Sequence, residues 1–118
     1  DSGMFRAMQL AAATALEAEA DWYEGNNENY RNRRHLDGEI MKTLGCTYDE
    51  KQVGMFLWGK IPASCKDVEE LTEKVLHEAR VFITPGFIFG SNGARYIRIS
   101  LCCKDNKLAE ALERIKRI

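Results

Sequence analysis

The chain has 118 residues, with 17 Lys plus Arg against 18 Asp plus Glu, for a net charge of −1. That balance lacks the basic excess that a phosphate backbone demands, and no apolar run approaches the roughly 20 residues of a membrane-spanning helix. Nucleic-acid binding and membrane insertion are therefore not expected, and the length and mixed composition suit one folded domain spanning residues 1–118.

Residues 4–20 are rich in Ala, Leu, Met and Glu, strong helix formers, with Phe5, Met8, Ala12 and Leu16 recurring on one face. Ser2 is placed to cap that helix. Gly25-Asn26-Asn27 reads as a break. A second helix is expected over residues 28–44, with Leu36, Ile40 and Leu44 stacked at four-residue steps and Gly45 as its C-terminal cap. Its polar face carries Arg31, Arg33, Arg34 and Glu39, which reads as a solvated or ion-paired surface, with a partner-binding surface as the alternative.

The period then changes. Residues 53–61 are β-rich and stop at Pro62. Ser64 with Asp67 gives a capping signal for a helix whose buried face is Val68, Leu71, Val75 and Ala79, with Glu70 and Lys74 as an i,i+4 pair. Residues 81–83 predict a short strand, Thr84-Pro85-Gly86 a turn, and 90–93 a loop. Residues 96–102 form the clearest strand, with Ile97, Ile99 and Leu101 on one face and Tyr96, Arg98, Ser100 and Cys102 on the other. A last helix starts at Asp105 or Asn106 and buries Leu108, Ala111, Leu112 and Ile115. The order α-α-β-α-β-β-α predicts an α+β domain: a small, mainly antiparallel sheet covered by helices on one face, preceded by two N-terminal helices.

The four cysteines, Cys46, Cys65, Cys102 and Cys103, show no C-x-x-C spacing. Cys102 and Cys103, adjacent on an apolar run, read as buried thiols in a reducing cytoplasm, with a redox or metal role as the alternative, and Asp1-Ser2-Gly3 shows no leader pattern. His35 and His77 lie far apart on charged helical stretches and read as surface residues, so no metal site is expected.

Arg98 is the informative position. A guanidinium in mid-strand between Ile97 and Ile99 is costly unless it meets an anion, and its planar fork matches a carboxylate. A structural salt bridge to a nearby acid is the competing reading.

The run Thr84-Pro85-Gly86-Phe87-Ile88-Phe89-Gly90, then Gly93, then Tyr96-Ile97-Arg98-Ile99-Ser100, resembles the C-terminal signature of class I/II aminotransferases, the fold-type I enzymes dependent on pyridoxal 5′-phosphate. Further upstream, Ser2 to Phe5 with Gln9, Ala11 and Ala12, then Tyr30, Arg33-Arg34, Leu44-Gly45, Gly54 to Trp58 and Ile61-Pro62 continue the resemblance in order. The aspartate, aromatic and LL-diaminopimelate aminotransferases are the most similar kinds. The resemblance implies that the chain is the C-terminal small domain of a larger, homodimeric enzyme that moves an amino group between an amino acid and a 2-oxo acid. Arg98 would bind the substrate's α-carboxylate. Gly86, permitting a sharp turn, and Phe89, giving apolar cover, would stand at the rim of the site, with a purely structural role for both as the alternative.

Arg95 departs from the pattern, where a small residue is common, and is not assigned to substrate. The lysines, Lys42, Lys51, Lys60, Lys66, Lys74, Lys104, Lys107 and Lys116, lie outside the Ser-x-x-Lys context of the family's Schiff-base lysine. No catalytic or cofactor-binding residue is therefore expected in this chain, and the fragment alone should neither transaminate nor hold the cofactor. The large domain of the same protein would supply both, meeting a surface to which Trp22 and Tyr23 contribute. Other carboxylate-binding enzymes of the same fold type, lyases or synthases, share the arginine. A stand-alone ligand-binding regulatory module and an RNA-binding domain using Tyr96 and Phe87 are rivals from other classes.

Overall fold

The computed structural model describes residues 3–118. The elements follow the expected order: α1 (Arg6–Leu16), α2 (Ala20–Thr43), β1 (Phe56–Lys60), α3 (Val68–Lys74), β2 (Thr84–Pro85), β3 (Tyr96–Ser100) and α4 (Asp105–Ile115). A π-helical turn, Val75–Ala79, prolongs α3, and two 3-10 turns, Gly86–Phe89 and Ser91–Gly93, lie between β2 and β3. The sheet is antiparallel throughout, in the order β1-β3-β2.

Alternation along the strands separates two faces. Leu57, Gly59 and Ile97 are buried and join Ile40 and Met41 of α2, Val68 and Leu71 of α3, and Leu112 and Ile115 of α4 in one core. Gly59 has no side chain because Met41 fills its place; a Cβ there would sit 3.0 Å from Met41 Cε. Phe56, Trp58, Lys60, Tyr96, Arg98 and Ser100 occupy the opposite face and stay partly or wholly exposed. The helices thus leave one face of the sheet open, and Arg98 sits in the middle of it.

Helix α1 and the first half of α2 stand away from this core. None of the residues of α1 is buried, and Phe5 and Leu16 are 72% and 81% exposed. In α2 burial begins only at Asp37. The radius of gyration is 17.5 Å, against about 13.5 Å for a compact domain of this length. The helical arm accounts for that excess.

Local chemistry explains where elements end. Helix α2 closes in a paired C-terminal motif: Gly45, at φ 70°, donates to the Lys42 carbonyl at 2.9 Å and Cys46 donates to the Met41 carbonyl at 2.9 Å. Gly45 is thus the cap the sequence indicated. At the start of α3 the cap is Asp67, not Ser64; its Oδ1 accepts from the Glu70 amide at 2.8 Å. Glu70 reaches back to accept from the Lys66 amide at 3.0 Å, which draws its carboxylate away from the expected pairing with Lys74.

Several boundaries differ from the sequence reading. The break near Gly25 does not occur; α2 runs straight through it, and the chain breaks instead at residues 17–19. The helical penalty of one exposed glycine is only about 1 kcal/mol, and Arg31 bridges Glu24 and Glu28 along the same helix at 2.9 and 2.7 Å. Residues 81–83 are not a strand. The Val81 amide turns back to the Val75 carbonyl, and pairing with β3 starts at Thr84. β3 ends at Ser100, two residues early, and the following turn exposes both Cys102 and Cys103. The expectation that these thiols are buried is therefore corrected. Cys46 is the buried thiol, its pKa pushed up to about 11 by burial. The Ser2 cap lies outside the described residues.

Candidate functional site

The open face of the sheet is built around one row of strand partners. Trp58 on β1 and Thr84 on β2 both stand opposite Arg98 on β3. The Gln52 side chain caps the free edge of β1, accepting from the Trp58 amide and donating to its carbonyl, each at 2.8 Å. Trp58 therefore meets Arg98 as a non-hydrogen-bonded pair, the arrangement that brings side chains closest. Phe56 pairs with Ser100 and so lies diagonal to Arg98, within reach of a long side chain.

The guanidinium is flanked by aromatic rings. Arg98 Cζ lies 4.1 Å from the ring centre of Phe56 and 4.1 Å from that of Phe89. Phe89 is steadied by Trp58, centroids 5.5 Å apart in an edge-to-face arrangement, and Trp58 by Tyr96 at 6.5 Å. The cavity of about 300 Å³ that Arg98 borders lies mainly toward the helix side of the sheet, lined by Ile40, Ile83, Ile99, Leu108 and Ala111.

The turn that delivers Phe89 depends on two glycines in backbone contact. A Cβ on Gly86 would lie 2.5 Å from the Gly93 carbonyl oxygen and 2.6 Å from that of Tyr96, and a Cβ on Gly93 would strike Gly86 in return. Gly86 is buried. It lets two stretches of backbone touch, and the positive φ of the turn belongs to Gly90, at 121°. Phe89 packs beside Arg98.

Comparison among the half-buried arginines isolates Arg98. Arg33 donates to Asp105 at 2.8 Å and to the Leu101 carbonyl at 3.2 Å, tying α2 to the start of α4. Arg34 donates to the Gly54 carbonyl at 2.6 Å. Arg95 holds three carbonyls, those of Cys65, Lys66 and Pro62, at 2.9, 2.7 and 2.8 Å, and so fastens the β1–α3 loop. Among the described residues, Arg98 alone of these four donates to no oxygen; its neighbours are rings. The internal salt bridge that competed with an anion-binding role is not formed there. Phe56 and Trp58 were not singled out from sequence, because only the β1–β3 register brings them to Arg98.

Every lysine is exposed, and Lys42, Lys107 and Lys116 are engaged with Glu39, Glu110 and Glu113. Among the described residues, no lysine sits in a buried cradle able to hold an aldehyde cofactor. His35 is exposed and His77 meets Glu73 at 3.0 Å on the surface. Among the described residues, no group of three or more His, Cys, Asp or Glu is placed to hold a metal ion.

The family model described as aminotransferase class I and II matches residues 3–115. The chain belongs to the class I and II aminotransferases. An LL-diaminopimelate aminotransferase of Desulforudis audaxviator is 37% identical over 116 residues, covering 98% of this chain and 29% of the relative. Transaminase BacF of Bacillus subtilis is 32% identical over 117 residues, with 98% and 29% covered. The solved apo-BacF structure superposes with a TM-score of 0.77 at 33% identity, over 98% of this chain and 30% of that one. An aromatic aminotransferase from Pyrococcus horikoshii OT3 gives 0.78 at 33% identity, over 92% and 30%. The chain thus spans about 30% of the length of these aminotransferases. Pyridoxal 5′-phosphate is the cofactor the family implies, and the residues of this chain do not by themselves fit it.

Proposed function

We propose that the chain is the small C-terminal domain of a class I/II aminotransferase and that Arg98 grips the α-carboxylate of its amino-acid and 2-oxo-acid substrates. The observation that supports this is a half-buried guanidinium that no oxygen of the described residues engages, on the one sheet face the helices leave open. Every substrate of such an enzyme carries that carboxylate. Two parallel N–H···O bonds from a fixed fork hold it in one plane, and so orient the reacting carbon relative to the rest of the site. We assign pyridoxal phosphate and its lysine to the rest of the enzyme, which would also cover the exposed apolar residues of α1 and form the dimer.

Arg98→Lys in the full-length enzyme tests the grip. Lysine keeps the charge but loses the planar pair of donors. A loss of about 1.5–3 kcal/mol lowers kcat/KM by roughly 10- to 100-fold. An unchanged kcat/KM removes the role.

A further inference from the structure

We propose that Phe56 and Phe89 form an aromatic clamp that holds the Arg98 guanidinium in its carboxylate-binding pose, making both rings positioning residues for substrate recognition. The proposal rests on the carboxylate grip and adds how that grip is kept ready.

An arginine that must receive a substrate anion poses a conflict. It has to be fixed, yet the usual way to fix it, an internal carboxylate, would occupy the N–H donors the substrate needs. Ring faces resolve this. They attract the cation through their quadrupole and leave the N–H edge free. Both rings lie at 4.1 Å from Cζ, well inside the range of that attraction. They come from different elements, Phe56 from β1 and Phe89 from the 3-10 turn, so neither contact follows from the other. Phe56 and Phe89 remain 37% and 49% exposed, so core packing does not account for their placement. The edge-to-face contact of Phe89 with Trp58 and the glycine contact behind the turn supply the backing that a clamp requires.

The test uses the full-length enzyme and 4-methylpentanoate, a carboxylic acid with no amino group to react, with affinity read by calorimetry. Phe89→Leu and Phe56→Leu keep apolar bulk and remove the ring face; each is expected to weaken binding about fivefold. Phe89→Tyr keeps the ring and the affinity. Should a leucine variant fold poorly, ring-fluorinated phenylalanine at position 89 keeps shape while weakening the ring face, and affinity falls as fluorines are added. Wild-type affinity in the leucine variants, equal losses in Phe89→Leu and Phe89→Tyr, or indifference to fluorination overturns the clamp. Arg98→Gln separates the two claims. If it leaves binding intact, the carboxylate grip itself is wrong; if it weakens binding while the ring variants do not, only the clamp is wrong.

Discussion

Asp37 gives a stability prediction that is independent of catalysis. Its side chain lies on α2 with no exposed surface, and neither carboxylate oxygen has a hydrogen-bond partner. Burial raises its pKa from 3.8 to about 7, and the nearby Arg34 charge opposes this only in part. A folded-state pKa above the unfolded one means the folded protein binds the extra proton. The associated stability is present in full below pH ~4, falls as pH rises, and is gone above pH ~7. A shift of about three units at 1.4 kcal/mol each puts the loss at about 4 kcal/mol across that window. Asp37→Asn is neutral at every pH and removes the burial of charge. The amide still leaves polar atoms unpaired, at about 1–3 kcal/mol. The variant is therefore expected to be about 2 kcal/mol more stable than wild type at pH 8, with no advantage at pH 4. Urea titrations followed by far-UV circular dichroism at pH 4, 6 and 8 measure this. A wild-type stability that does not fall between pH 4 and 7, or an asparagine variant weaker than wild type at pH 8, refutes the reasoning.

Gly86→Ala forces a methyl against two backbone carbonyls and is expected to destabilise by about 3 kcal/mol or more, while Gly25→Ala, with open space around it in α2, gains about 0.5–1 kcal/mol; thermal melts of both compare them directly. Asp67→Ala removes the α3 cap and costs about 1 kcal/mol, measurable by the shift in urea midpoint. Iodoacetamide under native conditions labels Cys102 and Cys103 and spares Cys46, as peptide mass mapping would show; fast modification of Cys46 contradicts its burial.

Much of the fold was legible because its signals are local. Alternation in β3 assigned Ile97 and Arg98 to opposite faces, and Gly45 marked the end of α2 through its left-handed backbone. What was not legible depended on tertiary context. Gly25 reads as a breaker, yet glycine tolerates a helix when ion pairs span it. Cys102 and Cys103 continue an apolar run, but the backbone turns after Ser100 once its pairing with Phe56 ends. The site was half visible: Arg98 stands out as a cation in mid-strand and Phe89 as a ring near it, whereas Phe56 lies more than forty residues upstream and is joined to them only by register. Arg95, given no role from sequence, staples the β1–α3 loop through three carbonyls that only the folded chain brings to it.

The most direct test is a crystal structure of the full-length enzyme with a 2-oxo acid bound. The account predicts the substrate carboxylate edge-on to Arg98, with two N···O contacts of about 2.8 Å and the guanidinium still between Phe56 and Phe89. A carboxylate held by other groups, with Arg98 out of contact, contradicts it.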